Sequence, residues 1–255
     1  MHVAITGASR GIGAAFAAAF SAAGHDVTLV ARDLTSLEAL AAGLAGRAHA
    51  VGHDLSEPEG CTDWIEAAEA VLGPIDVLVN NAGMQIVGPT AEVDVAQGER
   101  LLRLNVLTPF RLTRHVLPAM IARGSGTIVD VASMAALAPT PGMYYYNASK
   151  AGMAAASEAL RGELRGTGVH VVTVYPGIIE TDMGKAGLAS YHDSKLLALQ
   201  PRGTTEELAR LVVKAVERKH ERVIYPSTNA LARHFPATTR WMMDRLTPGL
   251  KRSED

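Results

Sequence analysis

Short apolar runs alternate with longer segments of helical periodicity along most of the chain. The runs at residues 2–6, 26–31, about 47–53, 75–79, 127–132, 169–174 and 222–226 predict strands. The segments between them predict helices up to Ala23, over about 35–45, up to Leu72, and over 92–107, 109–123 and 144–165. Pro118 is expected to kink the fifth of these helices. Regular alternation at this spacing implies a single-domain α/β fold, a doubly wound (Rossmann-type) parallel sheet with helices on both faces. Residues 1–226 would form that domain. Residues 227–255 would be a C-terminal helical extension packed on the same domain or on a partner subunit.

The connections carry the candidate chemistry. The first strand runs into Thr6-Gly7-Ala8-Ser9-Arg10-Gly11-Ile12-Gly13 and then a helix, the setting in which a glycine turn can bring backbone N–H groups to a phosphate. The spacing is Gly-x-x-x-Gly-x-Gly rather than the Gly-x-Gly-x-x-Gly of the usual dinucleotide fingerprint, so by itself the turn stays open between a cofactor site and a plain turn. Arg32 and Asp33 follow the second strand. Asp33 stands at the count expected for an acid that binds the ribose 2′-hydroxyl of NAD, but it lies in the loop, past Ala31 at the strand's end. Arg32, with Arg10 from the glycine turn, suits the 2′-phosphate of NADP(H) better. In a sheet of this kind ligands sit beyond the carboxyl ends of the strands, where Gly7, Asp54-Leu55 and Asn81-Ala82-Gly83 fall.

Tyr146 and Lys150 are one helical turn apart, so they share a face. A phenol ionises near pH ~10, and a neighbouring ammonium favours the phenolate, which suits a general acid/base. Ser133 closes the strand at 127–132 and could hold the same substrate oxygen.

Composition narrows the alternatives. The net charge of −2 gives no electrostatic reason to expect nucleic acid. One cysteine, Cys61, allows neither an internal disulfide nor a zinc cluster, and His115 and His170 have no metal-ligand spacing, so no metal site is expected. The chain enters a strand directly from Met1 and has no apolar stretch of membrane-spanning length, so a cytoplasmic protein without a signal peptide is expected. Asn147-Ala148-Ser149 matches a glycosylation pattern, but it lies inside the helix that carries Tyr146 and is read as fortuitous.

Taken together, the Thr6–Gly13 turn, Asn80-Asn81-Ala82-Gly83, Asn105, Ser133 with Tyr146 and Lys150, and Pro176-Gly177 with Thr181 resemble the classical short-chain dehydrogenase/reductase family over roughly residues 1–225. The resemblance implies a proton donor and acceptor at Tyr146 and a Lys150 that lowers its pKa and binds the nicotinamide ribose. It implies a substrate-positioning Ser133 and a proton relay through a water at Asn105. For the cofactor it implies Gly7, Ser9, Arg10, Gly11, Ile12 and Gly13 at the phosphates, Asp54 and Leu55 at the adenine, and Asn81, Ala82 and Gly83 at the adenosine ribose. Pro176, Gly177, Ile179 and Thr181 would meet the nicotinamide. Ala31 followed by Arg32 resembles the NADP-preferring pattern.

The family's pocket-lining positions are Met134, Met143 and Ile178 beside Ser133 and Tyr146, with Ala135, Ala136, Met84 and Gln85 nearby. They are apolar or uncharged, which points to a small hydrophobic carbonyl or alcohol substrate such as a lipid, steroid or aromatic ketone. Segment 183–203 corresponds to the family's mobile lid. The expected reaction is an NADP(H)-dependent ketone/alcohol interconversion. The competing reading is a non-catalytic NADP sensor on the same fold. A homodimer through the helices at 109–123 and 144–165, or a homotetramer, is expected. The tail departs from the common family pattern: Phe235, Trp241, Met242, Met243 and Leu246 alternate with Arg233, Arg240, Arg245, Lys251 and Arg252. Capping the pocket, docking on a partner subunit and peripheral membrane contact are its three readings.

Overall fold

The computed structural model describes residues 1–192 and 200–251. Within 183–203, residues 193–199 lie outside the described residues, as does Arg252 in the tail.

Seven parallel strands form the central sheet: β1 (His2–Thr6), β2 (Asp26–Ala31), β3 (Ala48–Gly52), β4 (Val77–Asn80), β5 (Gly126–Val131), β6 (Val169–Pro176) and a last strand, Arg222–Tyr225. Their order is β3-β2-β1-β4-β5-β6 followed by the last strand, so the winding reverses between β1 and β4. Successive side chains of a strand point to opposite faces, and the helices cover both. Val3 and Ile5 of β1 join Phe16 and Phe20 of α1 (Gly11–Ala22), Leu37 of α2 (Leu34–Ala42) and Leu208 and Val212 of the helix Thr205–Glu217 in one core layer. Ala4, between them, faces the other layer with Ile65 and Ala68 of α3 (Ile65–Leu72) and Leu112, Val116 and Met120 of α5 (Thr108–Ala122). Near-continuous apolar runs are what strands covered on both faces require.

Local interactions set several element boundaries. α3 begins only at Ile65, because Trp64 donates its indole N–H to the Cys61 carbonyl (2.8 Å) and holds the preceding residues in turns. The expected helix 92–107 divides into a 3₁₀ turn Thr90–Glu92, α4 (Val95–Leu102) and a π-helical turn Arg103–Leu107. Asp94 sets the start of α4, its carboxylate accepting from Ala96 N (3.0 Å). α5 continues through Pro118 to Ala122. After the last strand come a 3₁₀ turn Ser227–Ala230, one helical turn Leu231–His234 and a helix Pro236–Leu246 that buries none of its residues. This stretch is tied down through Arg233, whose guanidinium donates to Glu158 on α6 (Tyr144–Glu163) at 2.7 Å. Among the described residues no helix is long and apolar enough to cross a membrane.

Candidate active site

The glycine turn is packed too tightly for a side chain at Gly7 and Gly13. A methyl built on Gly13 would lie 2.2 Å from the Gly7 carbonyl oxygen and 2.7 Å from the Asn81 amide nitrogen, and Gly7 itself has φ +67°. Asn81, leaving β4, donates its side-chain N–H groups to Thr6 O (2.8 Å) and Gly7 O (3.2 Å), which locks the β1 and β4 ends together across the reversal point. The Thr6 hydroxyl reinforces this: it donates to Val79 O and accepts from Asn81 N and Ala82 N, each at 3.0 Å. α1 starts after Arg10 with no side-chain cap and no acid in its first turn, so no side chain satisfies its N-terminal N–H groups or offsets its positive dipole. Gly11 faces the turn after β6: a methyl on it would meet Thr181 Cγ2 at 3.5 Å. The Thr181 hydroxyl in turn caps α7 (Asp182–Ala189) by accepting from Gly184 N (3.0 Å).

Around the crevice the remaining expected cofactor residues take distinct positions. Ser9 and Ile12 are half-buried on the turn, and Ile12 leans on the core. Leu55 sits with its side chain in the core and its carbonyl accepting from Thr108 Oγ1 (2.8 Å). Burial pushes the Asp54 carboxyl up, but hydrogen bonds from Ser56 and the nearby Arg32 and Arg100 guanidiniums outweigh it and hold the acid below its usual range. Pro176 ends β6, Gly177 N donates to Tyr225 O (2.7 Å), and Ile178 and Ile179 form a short strand β7 (Ile178–Ile179) paired with β8 (Arg202–Gly203).

The two residues after β2 are separated by function. Asp33 is the N-cap of α2: its carboxylate accepts from Ser36 N (3.1 Å) and from the Ser36 hydroxyl (2.5 Å). Arg32 and Arg10 are exposed, and neither forms an ion pair within 4.0 Å among the described residues. Arg32 stays near enough to Asp54 to influence its carboxyl.

At the end of β5 and on the first turns of α6 the structure brings Ser133, Tyr146 and Lys150 together. Ser133 is extended and accepts from Ala135 N (3.1 Å), and its hydroxyl stands near enough to the Tyr146 phenol to influence it. Lys150 is buried, 6% exposed; its ammonium donates to the Val131 carbonyl (2.8 Å) and stands 5.9 Å from the Tyr146 ring centre. Burial pulls the lysine down to about 8 against the opposing pull of buried Asp130. For Tyr146 burial again dominates and raises the phenol, the neighbouring Ser133 hydroxyl only partly offsetting it. That direction is opposite to the one expected from the Tyr146–Lys150 spacing. Desolvation disfavours both charged forms, and the ammonium is directed at a backbone carbonyl of β5 rather than at the phenol oxygen.

Asn105 lies at the centre of the π-helical turn, 2% exposed. Its amide is fully used: Oδ1 accepts from Met84 N (2.9 Å), and Nδ2 donates to Met84 O (2.9 Å) and Ser149 Oγ (3.1 Å). Ser149 passes the link to the Tyr146 carbonyl (2.8 Å). Gly83 completes the junction, since a methyl there would lie 3.2 Å from Asn105 Oδ1 and 3.6 Å from Lys150 Nζ. π turns within helices recur at functional positions. Here Pro109 also lacks the N–H that would take up the Asn105 carbonyl in an α-helix.

At the positions expected to line a substrate pocket, Met134 and Met143 are half-buried and Gln85 Nε2 approaches Met143 Sδ (3.7 Å). Gln85 also fills the space beside Gly187 of α7. Sequence reasoning missed two residues here. Buried Tyr191 donates its hydroxyl to the Pro141 carbonyl (2.7 Å), and Leu250 packs over Gly142. Pro248-Gly249, a turn signal, was the one local mark of that return.

The family model described as short chain dehydrogenase matches residues 1–191. The chain belongs to the short chain dehydrogenase family. It is 36% identical over 241 residues to the ketoacyl reductase HetN of a Nostoc species, covering 91% of this chain and 81% of that protein. A short-chain dehydrogenase from Sphingobium yanoikuyae, solved in complex with NADPH, superposes with a TM-score of 0.80 at 31% identity, over 100% of this chain and 99% of that one. The bulky-bulky ketone specific alcohol dehydrogenase from Comamonas testosteroni gives 0.78 at 26% identity, over 99% and 97%. The family and the doubly wound fold expected from the sequence are thereby established.

Proposed function

We propose that this short-chain dehydrogenase uses NADP(H) to interconvert a ketone and a secondary alcohol on a hydrophobic substrate. The observation that carries the reading is the convergence of Ser133, Tyr146 and Lys150 at the sheet end that also holds a turn close-packed at Gly7 and Gly13. The crevice fits a dinucleotide. The Gly7–Gly13 turn and the uncapped start of α1 would take the phosphates, Asn81 and Gly83 the adenosine ribose, and Thr181 the nicotinamide side. Committed to its helix cap, Asp33 is replaced at the 2′ position by Arg32 and Arg10, which favours a 2′-phosphate over a 2′-hydroxyl. The NADPH-bound Sphingobium relative supports the same choice.

When bound, NADPH supplies the hydride and NADP accepts it. Tyr146 holds the proton that the carbonyl oxygen receives in reduction, and it takes that proton back in oxidation. Ser133 orients the same oxygen by donating its hydroxyl hydrogen. Lys150 keeps a positive charge within reach of the phenol, and Asn105, through Ser149 and Met84, fixes the first turns of α6 that aim both groups. Met134, Met143 and Ile178 give the substrate body an apolar lining, in keeping with the ketoacyl reductase and bulky-ketone names of two relatives. Exposed Leu107, Phe110 and Ile121 on or beside α5 support self-association through that face.

The test is NADPH oxidation at 340 nm against ketones from small keto esters to steroids and fatty-acyl ketones, with NADH in parallel. Turnover with NADPH on bulky apolar ketones supports the reading. NADPH binding without turnover on any of them would favour a cofactor sensor.

A further inference from the structure

The last described residues return to the catalytic end of the molecule. Leu250 forms an antiparallel bridge with Tyr191. His192 N donates to Gly249 O and Lys251 N to Ser190 O, both at 3.0 Å, and Lys251 Nζ donates to Ala189 O at 3.1 Å. These bonds fix the tail against the end of α7, and except for the lysine ammonium they are backbone bonds. The identity of residue 250 is therefore free of the attachment. Its side chain lies over Gly142: a methyl built there would come 2.7 Å from each Leu250 δ-carbon. Gly142 immediately precedes Met143, the residue before α6, and stands four residues before Tyr146. The same loop is held from below by Tyr191, through Pro141 O, and from the side by Gly88 N donating to Gly142 O (2.9 Å). Outside it, a cleft of about 440 Å³ has Ile86, Val87, Pro89, Ser190 and Lys251 in its lining.

We propose that Leu250 is a specificity-determining residue: it forms the tail-side wall of the substrate site next to Met143 and limits the size of the substituent a ketone can carry toward Tyr146. The inference rests on the oxidoreductase reading above and adds to it a wall that comes from outside the family-matched residues 1–191. One methylene in an apolar pocket changes discrimination by about 10–200-fold. Truncating Leu250 removes three carbons from the wall while leaving its backbone attachments in place.

The experiment compares wild type, Leu250→Ala and Leu250→Phe on a series of methyl ketones from 2-butanone to 2-dodecanone. Both kcat/KM with NADPH and ketone Kd by calorimetry on the NADP-saturated protein are read. Leu250→Ala is expected to raise the long-to-short ratio by about tenfold or more and Leu250→Phe to lower it, with the Kd of NADPH within about twofold of wild type. A ratio unchanged within about twofold in both variants overturns the proposal, as does an equal loss on every ketone, which is what a merely structural tail would give. If wild type binds ketones but turns none over, the oxidoreductase reading fails and the Kd ratio alone decides on Leu250. A protein that binds none of them overturns both.

Discussion

Replacing Gly13 by alanine tests whether close packing at the reversal point of the sheet is what builds the crevice. The added methyl would sit 2.2 Å from the Gly7 carbonyl oxygen, 2.8 Å from its carbon and 2.7 Å from Asn81 Nδ2. Ordinary contact begins at about 3.4 Å, so α1 and the turn must separate by about 1 Å. The groups in the way are backbone and an amide that already donates two hydrogen bonds, so no flexible side chain can yield. Overpacking of this kind costs about 1–3 kcal/mol. For a chain of this size that lowers Tm by about 2–4 °C per kcal/mol. Because the N–H groups of α1 move with the helix, the Kd for NADPH should rise by tenfold or more. Gly152→Ala is the control: it is helical, exposed and has open space around it, so it should stabilise by up to about 1 kcal/mol. Differential scanning fluorimetry and a fluorescence titration with NADPH read both quantities. Gly13→Ala with wild-type Tm and NADPH affinity would refute the packing argument.

Three further outcomes are expected. Arg32→Ala should weaken NADPH by tenfold or more with little effect on NADH, while Asp33→Asn, which keeps a capping oxygen, should leave the cofactor preference unchanged; parallel titrations decide, and equal loss on both cofactors for Arg32→Ala would remove its 2′-phosphate role. Burial raises the Glu158 carboxyl, but Arg222, Arg233 and Tyr175 hydrogen bonds outweigh it, so its folded pKa lies below the unfolded value of ~4.3. Its contribution is therefore present above that pH and lost as pH falls below it, so Glu158→Gln should cost about 1–2 kcal/mol at pH 7 and nothing extra in strong acid, as read by urea melts at both pH values. Ser149→Ala should leave a buried Asn105 N–H unpaired and reduce stability by about 1–3 kcal/mol, again visible in urea melts.

Much of the fold was legible because its signals are local. Apolar runs fully covered on both faces read as parallel strands, and the Thr6–Gly13 turn with Tyr146 and Lys150 marked the strand ends and the α6 face on which they converge. Non-local features were hidden. Asp33 reads equally as a ribose ligand or a helix cap until Ser36 is seen donating to it. Nothing in the Tyr-x-x-x-Lys spacing reports that Lys150 points at Val131 O or that burial raises the phenol. The tail's placement depends on pairs far apart in sequence, Arg233 with Glu158 and Leu250 with Tyr191, and no periodicity encodes these.

The most direct test of the central claim is a single-turnover measurement with Tyr146→Phe, NADPH and a ketone that wild type reduces. The phenyl ring keeps the packing and removes only the proton donor. The account predicts an NADPH Kd within about twofold of wild type and a hydride-transfer rate lower by about 10²–10⁴-fold. A rate equal to wild type would mean that the proton comes from another group and that the Ser133–Tyr146–Lys150 site is not the catalytic centre.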